Sequence, residues 1–73
     1  MQAGAMGSRV ELRRDNGKGN LIHVKTDVNV AVDVADEDEC LELLKRMAKR
    51  HGLKPAECQL TVKTGRKWEH FRL

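Results

Sequence analysis

The longest regular pattern in the chain is an alternation of period two along residues 21–34, LIHVKTDVNVAVDV. Because successive side chains of a β-strand point to opposite faces, this pattern predicts one long strand with a buried face. A two-residue turn at Thr26-Asp27 would mix the two faces, so we expect one strand, if necessary a bent one; a split at a three-residue connection also keeps the parity. The residues expected to face inward are Ile22, Val24, Thr26, Val28, Val30, Val32 and Val34.

A shorter alternation precedes this strand in RVELRR, residues 9–14, with Val10 and Leu12 on the inward side. The segment between the two patterns is DNGKGN, residues 15–20. Asn-Gly and Gly-Asn favour the tight turns that join antiparallel strands. The sequence therefore predicts an N-terminal β-hairpin.

From Asp36 onward the hydrophobic period becomes 3.6, which predicts a helix over 37–51. Asp36 is a suitable N-cap with Glu39 three residues later, as in a capping box, and Gly52 suits the left-handed position after the last turn. The first turn is acidic and the last turn is basic, as the helix dipole favours. The inward stripe is expected to contain Cys40, Leu44, Met47 and Ala48, with Leu41 and Leu43 beside it and Leu53 folding back over its end.

The C-terminal part of the chain predicts a second hairpin, with strands at 59–64 and 67–72. Pro55 follows the helix as a stop signal, and Thr64-Gly65-Arg66-Lys67 suits a type II′ turn with glycine at its first central position. The element order is ββαββ. We therefore expect an α+β fold: a small antiparallel β-sheet with one helix packed on one face, the long second strand being bent or split.

A two-residue turn also fixes the pairing of the second hairpin. It places Leu60 opposite Phe71 and Lys63 opposite Trp68, so that the only Trp and the only Phe point to opposite faces. The inward face is expected to carry Leu60, Val62 and Phe71, with Cys58 and Leu73 at its far end. The outward face is expected to carry Gln59, Thr61, Lys63, Trp68, His70 and Arg72.

Composition divides the chain into a short leader and one domain. Residues 1–8, MQAGAMGS, resemble the remnant of an expression tag and are expected to be disordered, which leaves 9–73 as a single α+β domain. The net charge of +3 is uneven, because residues 45–73 hold nine Lys and Arg against two Glu. A localised positive charge attracts polyanions, including acidic proteins. The small size of the domain is compatible with a homodimer or a bound partner.

Several kinds of chemistry have no support in the sequence. Cys40, His51, Cys58 and His70 lack the close spacing of a zinc site, and Lys18 in GKG lacks the rest of a phosphate-binding loop. We expect no enzyme activity, cofactor or metal. No run of about 20 apolar residues is present, so we expect no membrane segment. Two cysteines without a secretion signal indicate reduced thiols and a cytoplasmic protein, and they are also compatible with a single disulfide bridge.

These observations favour a small non-enzymatic module that binds nucleic acid or associates with nucleoprotein, such as a regulator from a mobile element. An exposed indole stacks on bases, and neighbouring cations neutralise phosphates. The expected contact residues are Arg13, Arg14, Lys18, Lys63, Arg66, Lys67, Trp68, His70 and Arg72. The alternative is a protein-interaction module or homo-oligomer that docks through the Trp68 face or a sheet edge. Each feature also has a structural explanation, since Trp68 can pack against Lys63 and turn glycines supply positive φ.

Overall fold

A computed structural model of the chain describes residues 7–73 and confirms the α+β fold in ββαββ order. The four strands form one antiparallel sheet in the order β2-β1-β3-β4. The elements are β1 (Ser8–Asp15), β2 (Leu21–Val30), α1 (Glu37–Arg50), β3 (Cys58–Thr64) and β4 (Lys67–Phe71). A single turn of 3₁₀-helix, Pro55–Glu57, leads into β3. The two central strands are therefore the first and the third along the chain.

Most of the predicted leader lies outside the described residues, but its last residue belongs to the fold. Ser8 begins β1 and is buried, and its hydroxyl group lies 2.7 Å from that of Thr64 on β3. Ser8 therefore lies in β1, although the sequence prediction placed it in the leader. The reason is that serine fits a strand as well as a linker when its hydroxyl group finds a partner.

The core lies between α1 and the three strands β1, β3 and β4. The helix contributes the predicted stripe of four buried residues, and the sheet contributes alternate residues of β1 and β3 together with Phe71 of β4. Fully burying a Leu or Val side chain contributes about 1.5–3 kcal/mol, so this layer accounts for most of the hydrophobic stabilisation. The buried core consists of Val10, Leu12, Cys40, Leu44, Met47, Ala48, Cys58, Leu60, Val62 and Phe71.

Both ends of α1 are capped by side-chain or backbone hydrogen bonds. The Asp36 carboxylate accepts a hydrogen bond from the Glu39 amide at 3.2 Å, as predicted. The reciprocal bond of a capping box is absent, because the Glu39 carboxylate instead accepts from the Asp33 amide. At the other end Gly52 has φ 71°, and the Leu53 amide donates to the Ala48 carbonyl group at 2.8 Å. This Schellman motif turns Leu53 back onto the core, as expected.

The prediction that residues 21–34 form one strand with its even-numbered residues facing inward is wrong, both in the length of the strand and in its buried face. The strand ends at Val30, and two shifts in its register with β1 each insert one extra residue on β2, at Val24 and between Asp27 and Val30. Asn29 adopts φ 58° in the second of these bulges. Because each extra residue reverses the faces of the strand, period two in the sequence does not produce one buried face.

The even-numbered residues of the long alternation consequently have different environments. Val28 is 64% exposed and Ile22 is also exposed, whereas Thr26 lies opposite Glu11 on the face away from the helix. No residue of β2 is fully buried. The valines at positions 24, 30, 32 and 34 are half-buried at the margin of the core. The helix packs mainly on the other three strands, so the core covers β2 only at its margin.

Candidate functional site

The second hairpin has the predicted register, and this places Trp68 outside the core. Lys63 lies opposite Trp68, and Leu60 lies opposite Phe71. Gly65 has φ 63°, as the first central position of a type II′ turn requires. Trp68 is 48% exposed while Phe71 is 8% exposed. Gln59 and Arg72, both expected on the outward face, are not paired with each other, because β4 ends at Phe71.

Trp68 belongs to a polar surface on the side of the sheet that α1 does not cover, which we call the open face. Cross-strand pairing shows which side chains share this surface, since directly opposed residues point to the same side of a sheet. The open face comprises Arg9, Glu11 and Arg13 on β1, His23 and Thr26 on β2, Gln59, Thr61 and Lys63 on β3, and Trp68 and His70 on β4.

One row of the open face brings together two cations and the indole. Arg9, Lys63 and Trp68 lie side by side on β1, β3 and β4. Like charges directly opposite each other are unfavourable in a sheet. Here each cation has a different partner: the Lys63 ammonium group lies 5.2 Å from the centre of the indole ring, and the Arg9 Nε lies 3.2 Å from a Glu11 carboxylate oxygen.

Glu11 organises the arginines of this surface. Its side chain is only 8% exposed, and its two oxygens contact Arg9 on one side and Arg13 on the other. The Arg13 contact is 2.5 Å long. One carboxylate thus compensates half of the charge of two guanidinium groups and holds both on the open face.

The sequence prediction missed Arg9 and Glu11. The alternation Arg9, Glu11, Arg13 places all three opposite in direction to Val10 and Leu12, which were assigned inward. The alternation of side chains along a strand was therefore the signal that could have identified Arg9 and Glu11 as outward-facing residues. Their pairing across β3 required the observed strand order, which the sequence does not specify.

Two histidines of the open face are fixed by threonines. His70 Nδ1 lies 2.9 Å from the Thr61 hydroxyl group, directly across the β3–β4 pair. His23 Nε2 lies 2.6 Å from the Thr26 hydroxyl group, within β2. Both rings therefore have a defined orientation toward solvent. Of the two, only His70 lies close to Trp68 along the chain and on the same strand.

The predicted contact residues do not all share one surface. The structure brings Arg13, Lys63, Trp68 and His70 together on the open face, with Arg66 in the turn beside that end of the sheet. Lys67 lies opposite Thr64 and so belongs to the helix side.

The remaining predicted residues lie at the opposite end of the sheet. Arg14 and Arg72 line a depression there that also contains Asp15 and Glu57, so its charge is mixed. Lys18 is exposed in the β1–β2 turn, where Gly17 and Gly19 have φ 82° and 84° and the side chains of Asp15 and Asn16 accept backbone N–H groups. The glycines of this turn thus serve the turn geometry itself.

Cys40 and Cys58 are free thiols within the core. Burial raises the pKa of both, and Glu39 and Asp33 raise the pKa of Cys40 further, whereas Glu57 does so for Cys58. Since the thiolate is the reactive form, both side chains are suited to packing and not to nucleophilic chemistry. Residues 7–73 hold no group of three side chains arranged to bind a metal ion.

Comparisons with protein-family models, with curated proteins and with solved structures gave no match to this chain. In the described part of the chain, no helix has the length and apolar character needed to cross a membrane.

Proposed function

We propose that the open face binds single-stranded nucleic acid, with the Trp68 indole stacking on one base and the adjacent cations contacting phosphates. The observation that supports this most strongly is the row Arg9–Lys63–Trp68, in which a half-exposed indole lies next to two cations. Such a combination is typical of sites that bind single strands with little sequence preference.

The energetics of this row suit a ligand that carries both an aromatic ring and negative charge. Stacking of a base on an aromatic side chain contributes about 1–3 kcal/mol, while each phosphate contact adds a salt-dependent increment. Lys63 already lies close to the ring, so a stacked base and its phosphate would meet the indole and the ammonium group together. Arg9 and Arg13, which Glu11 holds in place, extend the positive surface across β1.

A single strand fits this surface better than a duplex. The open face is a sheet surface without a protruding helix or ribbon to enter a groove, and the stacking surfaces of bases are hidden inside a duplex. An unpaired base can lie flat on the exposed part of Trp68. We therefore expect single-stranded oligonucleotides to bind more tightly than the same sequence in duplex form.

Fluorescence titration tests this proposal, because Trp68 is the only tryptophan and the chain has no tyrosine. Adding a short oligothymidylate or oligouridylate should quench the indole emission, since a stacked base contacts the ring directly. The anisotropy of a labelled oligonucleotide should show that Trp68→Ala weakens binding about 5- to 150-fold. Absence of quenching and of an anisotropy change at low salt would refute the proposal.

Matched charge variants locate the phosphate contacts. Lys63→Ala and Lys49→Ala remove the same charge, but Lys49 lies exposed on α1, away from the open face. We expect Lys63→Ala to reduce affinity several-fold and Lys49→Ala to change it little. Three phosphate contacts, at Arg9, Arg13 and Lys63, give a slope of roughly −2 in a plot of log affinity against log salt for a single strand. Equal effects of the two substitutions would indicate a nonspecific response to net charge.

An acidic protein is the alternative ligand of the same surface, as the sequence also suggested. Substitution of Trp68 or Lys63 would weaken the binding of an acidic protein as well. If an acidic protein is the ligand, however, oligonucleotides should not quench the indole emission, and single strands should not bind more tightly than duplexes. If single-stranded and duplex oligonucleotides bind with equal affinity, that result would likewise count against the stacking of a base on Trp68.

A further inference from the structure

Strand β2 forms one edge of the sheet, and no other strand of the described chain pairs with its outer side. It is the longest strand, with ten residues, yet none of them is fully buried. Leu21, Ile22 and Val28 are among the exposed large apolar residues. An open edge with exposed apolar side chains is a template for pairing with another strand. The question is which strand it accepts.

The charges of β2 make its central part complementary to itself. Lys25 and Asp27 lie on the same side of the strand, opposite Leu12 and Val10 of β1, with 3.8 Å between the Lys25 ammonium nitrogen and an Asp27 carboxylate oxygen. Both side chains remain substantially exposed. Thr26 lies between them. The segment therefore reads cation, threonine, anion. In a second copy that runs antiparallel the order is reversed, so that each cation faces an anion.

We propose that two copies of the chain pair through their β2 edges, antiparallel, about a two-fold axis at Thr26. In this arrangement Lys25 lies opposite the partner's Asp27, and Asp27 lies opposite the partner's Lys25. Opposite charges directly across an antiparallel pair stabilise it. The two sheets become one continuous sheet, with both helices on one side and both open faces on the other.

The same charges oppose the neighbouring registers. A two-fold axis at Lys25 would place the two copies of Lys25 opposite each other, and an axis at Asp27 would do the same with the two copies of Asp27. Like charges directly opposite each other are unfavourable in both cases. The two bulges of β2 lie on either side of this segment, so Lys25, Thr26 and Asp27 form a regular stretch between them. Pairing over so short a segment gives a weak, concentration-dependent dimer.

Charge reversal with mixing tests this register. Sedimentation equilibrium from micromolar to millimolar concentration, without nucleic acid, should show the native chain dimerising. Lys25→Glu and Asp27→Lys each place like charges opposite one another, so each should raise the dimer dissociation constant at least about fivefold. An equimolar mixture of the two variants should form a heterodimer, and the double variant K25E/D27K should regain dimerisation.

Cross-linking gives a second test that does not depend on electrostatics. Thr26→Cys places two thiols next to each other at the axis, within the distance that a disulfide spans. Val28→Cys is the matched control, because two copies of that position lie roughly 13 Å apart in this arrangement. The native cysteines are buried and do not interfere. Mild oxidation should cross-link the Thr26 variant and leave the Val28 variant mainly without a covalent cross-link.

The proposal fails if the native chain remains a monomer at millimolar concentration, in which case another protein or no partner occupies the edge. It also fails if both single charge variants dimerise as well as the native chain, because the interface then lies elsewhere. Neither result bears on the binding of nucleic acid by the open face, since oligonucleotide is absent from both experiments.

Discussion

The Lys63 ammonium group lies 5.2 Å from the centre of the Trp68 ring, directly across the β3–β4 pair. This cross-strand relationship defines the orientation of the second hairpin. It leaves nearly half of the indole in contact with solvent, whereas Phe71, three residues later, completes the core. Phe71 therefore belongs to the core and Trp68 to the surface, so their substitution should change the free energy of unfolding by different amounts.

Phe71→Ala should lower the free energy of unfolding by about 3–5 kcal/mol, because it leaves a cavity among buried side chains. Trp68→Ala should cost only about 1–2 kcal/mol, from the lost contact with Lys63 and partial burial of the ring. Denaturant unfolding followed by circular dichroism measures both values. Since Phe71→Ala risks unfolding so small a domain, Phe71→Leu provides a folded comparison. Equal costs for the two alanine variants would contradict the assignment of the faces.

Glu11 and Glu42 form a matched pair of acidic residues. Glu11 is buried and contacts two arginines, whereas Glu42 is exposed on α1 and pairs with Lys45. Glu11→Ala should reduce the free energy of unfolding by roughly 1–2 kcal/mol, a value already lowered for the exposure of the arginines. Glu42→Ala should change it by less than about 0.5 kcal/mol. Chemical denaturation compares them, and a smaller effect at Glu11 than at Glu42 would contradict its organising role.

The buried thiols should make the protein less stable in alkaline solution. Their pKa values lie above the ordinary value of 9.0 in the folded chain, so the folded state retains these protons where the unfolded state loses them. The resulting stability is complete below the pKa of the unfolded thiol and is lost as the pH rises toward the folded pKa. We expect the free energy of unfolding to fall more steeply above pH 9 for the native chain than for Cys58→Ala.

The slope is the informative quantity in this experiment, because Cys58→Ala also removes packing at every pH. Denaturation curves at several values between neutral and alkaline pH give that slope directly. Parallel curves for the native and variant chains would show that ionisation of Cys58 is not coupled to folding.

The sequence predicted most accurately what short-range chemistry controls. The Gly65 turn determines the β3–β4 register residue by residue, and Asp36 and Gly52 mark the ends of α1, so these features depend on neighbours in the chain. The helix was expected over 37–51 and ends at Arg50, with His51 as its C-cap. The outward direction of Trp68 followed from the same turn.

The features that were not predicted depend on contacts between distant parts of the chain. The regular alternation of valines around Val28 gave no sign of the bulges in β2, because a bulge depends on the pairing with β1 and not on period alone. The contact residues were chosen by charge, so Arg14 and Lys67 were included although strand parity directs them away from Trp68. Arg9 joins Lys63 only because β1 and β3 are neighbours in the sheet.

The position of a bound oligonucleotide on the protein tests the central claim most directly. In ¹⁵N-correlated NMR spectra, a short single-stranded oligonucleotide should shift the Trp68 indole N–H resonance and the backbone amides of Arg9, Lys63 and His70. The amides of the exposed side of α1, around Lys45 and Lys49, should stay in place. Shifts concentrated on α1 with an unchanged Trp68 resonance would contradict the assignment of the open face as the binding surface.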